Sequence, residues 1–429
     1  MRCALTIAGS DSIGGAGIQA DIKAMAALGV HACTAVTAVT AQNTRSVNRI
    51  YPVPPDMVVE QIETVLKDSD IRAIKTGMLY DPEIVSAVAD VLENKNIRLV
   101  IDPVMIATVG DHLFSEDLVD ALKRKLIPIC DLITPNKYEA EVLSGVEIRN
   151  EKDAHLACKL IGKEGSSVLL KGGHMGGSTV KDYLYLSSEI STLEYPRLDS
   201  AGHGSGCVLS AYITAHLAKS VDIGTAVIRS RKMIQESIST MYPVGTGVRV
   251  VNPVVRIQDD AHRFQILDSL DVAATQIMQS IPGTAVPESG MNIAFATEDP
   301  VGPEDIAGIE GKMRHRNGRT VKGPARFGAA GHLSFVILEA MRADPEKRSA
   351  MNISYSDDYA DVMEEVGMIV GKMDLKKNKN MSLRDLVSNS ISKCGCVPDA
   401  MIDKTSRDRL IWIIGRDPKD VTDKLGQFV

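Results

Sequence analysis

The sequence predicts an α/β protein. A mainly parallel sheet covered by helices is expected over residues 1–255, followed by a separate smaller α/β or α+β domain over residues 256–429. Three observations predict this. Short apolar runs alternate with helix-patterned segments up to about Met241, as βα units require. Those runs end in polar or glycine-containing groups, which a packed sheet does not need. A Gly- and Pro-punctuated stretch, residues 243–253, then precedes renewed periodicity, and reads as a lid or linker.

The elements follow in order. Residues 3–8 read as a strand, 16–28 as a helix, 32–40 as a strand, 55–66 as a helix and 71–76 as a strand. Ile84, Val85, Val88, Val91 and Leu92 have helical spacing. Residues 99–101, 132–134 and 168–171 are short apolar strands. Ligands of open sheets gather at C-terminal strand ends, which here carry Gly9-Ser10-Asp11, Gln42-Asn43, Lys75-Thr76-Gly77-Met78, Asp102-Pro103, Thr134-Pro135-Asn136 and Lys171-Gly172-Gly173. Beyond the break, Phe264, Leu267, Leu270, Val272 and Ile277 resume the pattern. Tyr359, Val362, Met363, Val366, Ile369, Val370 and Met373 form one amphipathic stripe. Residues 411–414 read as a buried strand, and lysine-rich 376–379 as a solvated loop. This second part is long enough to bury its own core.

Bulk properties narrow the function. The chain has 429 residues, 44% hydrophobic and 24% charged, with a formal net charge of -7. That acidic balance argues against a nucleic-acid-coating protein. No uninterrupted apolar run reaches about 18 residues, so no membrane span is expected. The start, MRCALTIAGSD, lacks the pattern of a signal peptide. Seven cysteines, an odd number scattered through apolar runs, fit a reduced cytoplasmic protein. Cys394 and Cys396 have no second pair at metal spacing, which argues against a zinc site.

Residues 203–207, His-Gly-Ser-Gly-Cys, carry the most chemical information. Glycines flank Ser205, and Val208, Leu209, Tyr212, Ile213 and Leu217 fall on one helical face behind it. A small-residue turn at a helix start exposes backbone N–H groups, and with the helix dipole these hold a phosphate. Cys207 sits where that positive end favours a thiolate. A phosphate seat beside a candidate base is kinase chemistry; a tight turn with a buried cysteine is the plain alternative.

The segments ALTIAGSD with GGAGIQAD, TAVTAQNT, YPVPP, KTGML, IDPVM, LITPNKYEAEVL, LLKGGH and HGSGC run in this order over about residues 2–250. Together they resemble the hydroxymethylpyrimidine/phosphomethylpyrimidine kinases of thiamine synthesis, which have a ribokinase-like fold. Ser12-Ile13 stands where that family more often has Pro-Ser, and Ser205 where it usually has Thr. The approach DSAGHGSGC is also shorter than the family's usual loop. The resemblance implies that Gly204, Ser205, Gly206 and Cys207 form an anion hole, with Cys207 taking the proton of the substrate hydroxyl. It implies that Gln42 and the Gly9 backbone bind an aminopyrimidine, that Met78 packs on its ring, and that Asp21 lies near its hydroxymethyl group. Asn136 and Lys171 would serve ATP, and Asp102 and Glu139 would hold Mg²⁺, a hard cation that prefers oxygen. A helix end supplies only ~0.3–1 kcal/mol, so Mg²⁺ and a lysine should carry much of the charge neutralisation.

From about residue 258, PESGMNIAFA, VKGPARFGAAGH, AMNISYS, CGCVPDAMID and IIGRDP resemble a ThiN-type thiamine-phosphate synthase domain. One departure is TSRDRLIW, where a Gly-x-Glu-Pro-type loop is usual. The reaction so implied joins the pyrimidine diphosphate to thiazole phosphate and releases pyrophosphate, which demands cations and a closed pocket. Arg314, His315, Arg316, Arg319, Lys322 and Arg326 meet the charge requirement. Arg326 would clamp phosphate oxygens. His332, opening a helix over 332–341, would donate to the leaving group, and Gly328 and Gly331 would let a phosphate approach. Asn292 and Asn352, each in a Met-Asn-Ile run, and Asp399 are further substrate candidates.

The expected whole is a bifunctional transferase with small-molecule substrates, ATP as co-substrate and Mg²⁺. Neither nucleic acid nor membrane is an expected partner, and a homodimer through the kinase domain is expected. Two other readings remain open: a C-terminal domain that senses thiamine phosphates without catalysis, and a kinase for a pyridoxal-type vitamin.

Overall fold

The structure is a computed structural model that describes residues 1–105, 115–174, 177–198, 202–316, 318–373, 381–405 and 408–429. The lysine-rich run 376–379 lies outside the described residues. Contacts divide the chain into two units, Met1–Ile257 and Gln258–Val429.

In the first unit, strands β1 (Arg2–Ser10), β2 (Val30–Gln42), β3 (Val47–Pro52), β4 (Ile71–Thr76), β5 (Arg98–Ile101), β6 (Leu132–Ile133), β7 (Ser167–Leu170), β8 (Thr179–Leu186) and β9 (Glu189–Pro196) form one sheet. Its order is β3-β2-β1-β4-β5-β6-β7-β8-β9. The stretch from β2 to β7 is parallel, and β3, β8 and β9 add antiparallel edges. Helices α1 (Gly17–Ala27), α2 (Pro55–Asp68), α3 (Pro82–Leu92), α4 (Glu116–Ala121), α5 (Lys137–Ser144), α6 (Glu151–Ile161), α7 (Ser205–Ala218) and α8 (Ile223–Ser239) complete the unit.

Period-two alternation builds two cores on this sheet. Leu5, Ile7, Ile74, Ile101, Ile133 and Val168 belong to one buried cluster. Their neighbours Ala4, Ala73, Val100, Leu132 and Leu169 belong to the other, with most of α7. Every residue of α7 from Val208 to Ala218 is buried. The single apolar face expected there is therefore a helix enclosed on all sides, as its near-continuous apolar composition permits. The stretch 243–253 is not a free linker. Val250 pairs with both His203 and Tyr242, and Val248 N–H donates to the Thr44 carbonyl at 3.0 Å.

The second unit takes the α+β option. After α9 (Val255–Ser280) come β10 (Ile293–Ala296), β11 (Ile306–Ile309), the hairpin β12 (Arg314–Arg316) and β13 (Arg319–Val321), β14 (Ala325–Phe327), α10 (Leu333–Ala343), β15 (Ser349–Ser354), α11 (Asp357–Glu365), β16 (Val370–Met373), α12 (Leu383–Cys394), β17 (Ala400–Asp403), β18 (Leu410–Gly415) and α13 (Pro418–Leu425). The sheet order is β14-β11-β10-β15-β18-β17-β16. Only the β16–β17 pair is parallel. The stripe expected over 359–373 is broken. Gly367, at φ 79°, ends α11, Met368 N–H closes the turn on Met363 O, and the chain continues as β16.

Candidate active site

The sheet order turns at β1, which parallel strands flank on both sides, so the C-terminal ends of β1 and β4 border a crevice. A cavity of about 590 Å³ opens there. Gly9, Gln42, Met78, Asp102, Asn136, Glu139, Lys171 and Gly204 to Cys207 all line it. Gly9, Gln42, Met78, Asp102, Asn136 and Lys171, far apart in sequence, meet because each lies at or just beyond the C-terminal end of a neighbouring parallel strand.

The turn at residues 203–207 is built by glycine. Gly204 is the N-cap of α7 with φ 86° and no capping side chain. A Cβ on it would lie 1.8 Å from Gly15 O. The left-handed turn and this close approach both require glycine, and they leave the first N–H groups of α7 facing the cavity. A Cβ on Gly206 would sit 3.3 Å from Lys171 Nζ and 3.6 Å from Asp102 Oδ2, so the loop backbone lies against that ion pair.

Lys171 Nζ is 3.0 Å from Asp102 Oδ1. Burial opposes both charges. Even so, Lys171 and Lys75 hold the Asp102 carboxyl below its ordinary range, and Asp102 and Glu139 hold Lys171 above its own. Glu139 is pushed up to about 7, by burial and by Asp102, against the pull of Lys171. Glu139 also forms a capping box with Asn136, each side chain accepting from the other's backbone N–H at 2.8 and 2.9 Å. Beyond Lys171, Asp182 accepts from Gly172 N–H at 2.8 Å and pairs with Arg231 at 2.5 Å.

Cys207 faces the cavity with Gln42 and Asp102. It packs against the second core. Burial pushes its thiol up to about 11, with Lys75 pulling down and Asp102 and Asp21 pushing up. The expected thiolate is thus corrected: desolvation outweighs the neighbouring lysine.

Asp21 also differs from expectation. It does not line the cavity. It is wholly buried and holds Lys75, whose Nζ is 2.9 and 2.8 Å from its two oxygens, while Thr6 donates to it at 2.6 Å. Lys75 is the member of this pair that reaches the cavity. Met78 stands over Gly9, where a Cβ would lie 2.4 Å from the Met78 methyl.

Asp11 and His203, also in the cavity lining, were given no role of their own by the sequence. His203 Nε2 lies 2.9 Å from Asp11 Oδ2 and 3.1 Å from Gln42 Nε2. Asp11 also accepts from the N–H groups of Ile13, Gly15 and Ala16 at 3.0, 3.0 and 2.8 Å. The signal was present, since Asp11 follows a strand end and His203 precedes the anion loop, but 192 residues separate them.

In the second unit the expected set is dispersed among different tasks. Arg326 is exposed and pairs with Glu310 at 2.9 Å. His332 is the N-cap of α10 and meets Trp412 edge-on at 6.3 Å. Burial and the nearby Lys312 hold its imidazole below the ordinary value, and its Nε2 is buried with no partner among the described residues. Asn292 and Asn352 are spent on structure. The Asn352 side chain accepts from Asn292 N–H at 2.9 Å, and that of Asn292 accepts from Ile309 N–H at 2.8 Å and donates to Ala329 O at 3.0 Å. Asp399 is tied to Lys424 at 2.7 Å.

Comparison with known proteins agrees with this geometry. Residues 11–252 match the phosphomethylpyrimidine kinase family, and residues 269–427 match thiamine-phosphate synthase ThiN. A hydroxymethylpyrimidine/phosphomethylpyrimidine kinase of Haemophilus influenzae is 44% identical over 250 residues, covering 57% of this chain and 93% of that one. The thiamine biosynthesis bifunctional protein ThiED of Geobacter sulfurreducens is 39% identical over 258 residues, 59% of this chain; the match spans about half of that relative, 53%. Among solved structures, an ADP complex of Bacillus subtilis pyridoxal kinase has a TM-score of 0.55 at 33% identity, covering 60% of this chain and 99% of that one. A phosphomethylpyrimidine kinase from Clostridium difficile has a TM-score of 0.50 at 38% identity, covering 56% and 100%. The chain belongs to the phosphomethylpyrimidine kinase family over its first unit and to the ThiN thiamine-phosphate synthase family over its second, a transferase of thiamine biosynthesis with a kinase ahead of a synthase domain.

Proposed function

We propose that the first unit phosphorylates 4-amino-5-hydroxymethyl-2-methylpyrimidine and then its monophosphate, with ATP as donor. The observation that carries this is one cavity holding Gln42 and Met78 for a heteroaromatic ring, Cys207 for a hydroxyl proton, and the α7 N-terminus with Lys171 for phosphate. Phosphoryl transfer needs alignment and charge neutralisation more than covalent help. The N–H groups of Ser205, Gly206 and Cys207 would receive charge developing on the transferred phosphoryl, and Lys171 the oxygens of ATP. Cys207, once its thiol has given up its own proton, would accept the hydroxyl proton at Sγ as the new O–P bond forms and the bond from the γ-phosphorus to ADP breaks.

Asp102 and Glu139 fit Mg²⁺, because two hard carboxylates beside a phosphate seat match a cation that keeps water and phosphate as its other ligands. When bound, the ion would supply Lewis-acid neutralisation of phosphate charge. Glu139 would have to shed its proton to serve.

The second unit would join the resulting diphosphate to thiazole phosphate. The buried, unpartnered Nε2 of His332 at the α10 N-terminus supports an anion there. Arg326 would first have to leave Glu310. The resemblance supports a dimer through the kinase unit. All seven cysteines are free thiols, which supports the cytoplasm, and no described helix is long and apolar enough to cross a membrane.

A pyridoxal kinase reading has in its favour the 33% identity to the Bacillus enzyme and 31% to a pyridoxal kinase of Staphylococcus aureus. Competition between the two vitamin alcohols separates the readings. The test of the whole is to supply the purified full chain with the pyrimidine alcohol, ATP, Mg²⁺ and thiazole phosphate. Thiamine phosphate is the expected product. Pyrimidine diphosphate without thiamine phosphate would leave only the kinase, and no phosphorylated pyrimidine would overturn the proposal.

A further inference from the structure

Gln42 is the cavity's means of reading a ring edge, and an amide presents either a donor or an acceptor depending on how it is turned. In this protein a histidine stands behind it. His203 Nε2 lies between Asp11 Oδ2 at 2.9 Å and the Gln42 side-chain amide at 3.1 Å. Asp11 and His203 are only 4% and 3% exposed, so water does not mediate. His203 Nδ1 is buried with no partner among the described residues.

These contacts fix the proton. A bare ring nitrogen 2.9 Å from a carboxylate oxygen would set lone pair against lone pair, so Nε2 carries hydrogen. Asp11 is ionised: burial pushes its carboxyl up, but its bonds to His203, Ala16 and Ile13 together hold it below the ordinary range. His203 Nε2 is therefore a hydrogen-bond donor. An Nε2–H cannot face an amide –NH₂, donor against donor. Turning the Gln42 amide by 180° exchanges its oxygen and nitrogen without moving any other atom, and sets Oε1 against His203.

We propose that His203, fixed by Asp11, is a positioning residue that turns Gln42 so that its –NH₂ is the group offered to the ligand, selecting rings with an acceptor, such as an aza nitrogen, at that edge. The consequence for substrate rests on the kinase reading above; the Nε2 hydrogen and the amide direction do not. The anion loop shares the arrangement, because His203 adjoins Gly204 and a Cβ on Gly15 would meet the His203 ring at 2.4 Å.

Two measurements on the full chain test this. Nitrogen-15 correlation spectra of histidine-labelled protein, with His203 assigned by its loss in His203→Asn, should show hydrogen on Nε2 without any substrate. A ring with hydrogen on Nδ1 alone would overturn the proposal even if the enzyme proved to have another substrate. Steady-state kinetics with the pyrimidine alcohol should show KM raised about tenfold or more in His203→Asn with kcat within about threefold, the size of one misdirected hydrogen bond. In a Gln42→Ala background the same substitution should add little, because its effect runs through Gln42. An unchanged KM, a fall in kcat alone, or full additivity with Gln42→Ala would each overturn it. If His203→Asn does not fold, His203→Gln serves in its place. A wild-type chain inactive on the pyrimidine alcohol would instead strike the kinase reading, leaving the spectra to decide the place of the hydrogen.

Discussion

Lys75 and Asp21 form an ion pair in which neither side chain has any exposed surface, with Nζ 2.8 Å from Oδ2. The pair lies beneath the cavity and delivers one charged end to it. Burying two charges is unfavourable unless their geometry is good and their remaining positions are filled. Here both carboxylate oxygens accept from Lys75, and Thr6 supplies a further donor. Removing one partner leaves the other charge buried alone. Lys75→Met should therefore cost about 3–5 kcal/mol in chemical denaturation. Adding Asp21→Asn should recover part of that loss. A single variant costing under about 1 kcal/mol would show that the pair is not charged.

Cys207 should be slow to alkylate. With its thiol pushed up to about 11, the thiolate fraction at pH 7 is about 10⁻⁴. Only the thiolate reacts, so the rate with iodoacetamide should climb about tenfold per pH unit and level off near the raised value. Cys207→Ala should lower kinase turnover by about 10²–10⁴ with the melting temperature nearly unchanged. Turnover equal to wild type would remove Cys207 from the chemistry.

The demand for Mg²⁺ should depend on pH through Glu139. Its carboxyl titrates at about 7. Below that pH it is protonated and a poor ligand; above it the anion is available. The Mg²⁺ concentration for half-maximal rate should therefore rise as pH falls from 8 to 6. Glu139→Gln should flatten the dependence and raise the requirement throughout. A pH-independent requirement in the wild type would exclude Glu139 as a ligand.

The two asparagines of the second unit should behave as structural groups. Asn352→Ala leaves the Asn292 N–H and the Gly290 carbonyl without their buried partner and should cost about 1–3 kcal/mol in the unfolding of that unit. His332→Ala should leave stability nearly intact and reduce thiamine phosphate formation, because its Nε2 has no partner to lose among the described residues. Equal loss of stability in both variants would remove the distinction.

Strand ends were legible because a parallel sheet puts the end of each strand on one edge, so polar residues after Ile7, Ile101 and Leu170 must share a crevice. The anion loop was legible because small residues before an apolar helix have few other uses. What stayed hidden depended on partners distant in sequence. Asp21 was read as facing substrate because nothing local reveals that Lys75, 54 residues on, takes its charge. Asp11 stood at a strand end and His203 at the start of the glycine-rich run, but only the fold joins them. The apolar stripe at 359–373 failed at Gly367, a single left-handed residue that converts helix to strand. Asn292 and Asn352 drew attention as polar residues among apolar ones, but backbone groups in adjoining strands use them up. The burial that lifts the Cys207 thiol is likewise a property of packing around α7, not of the motif.

The most direct measurement is phosphorus-31 detection of pyrimidine phosphates formed by the full chain from 4-amino-5-hydroxymethyl-2-methylpyrimidine, ATP and Mg²⁺, with wild type and Cys207→Ala side by side. The expected result is successive mono- and diphosphate in the wild type and neither above background in the folded variant. Equal product from both proteins, or none from the wild type, would contradict the assignment of this cavity.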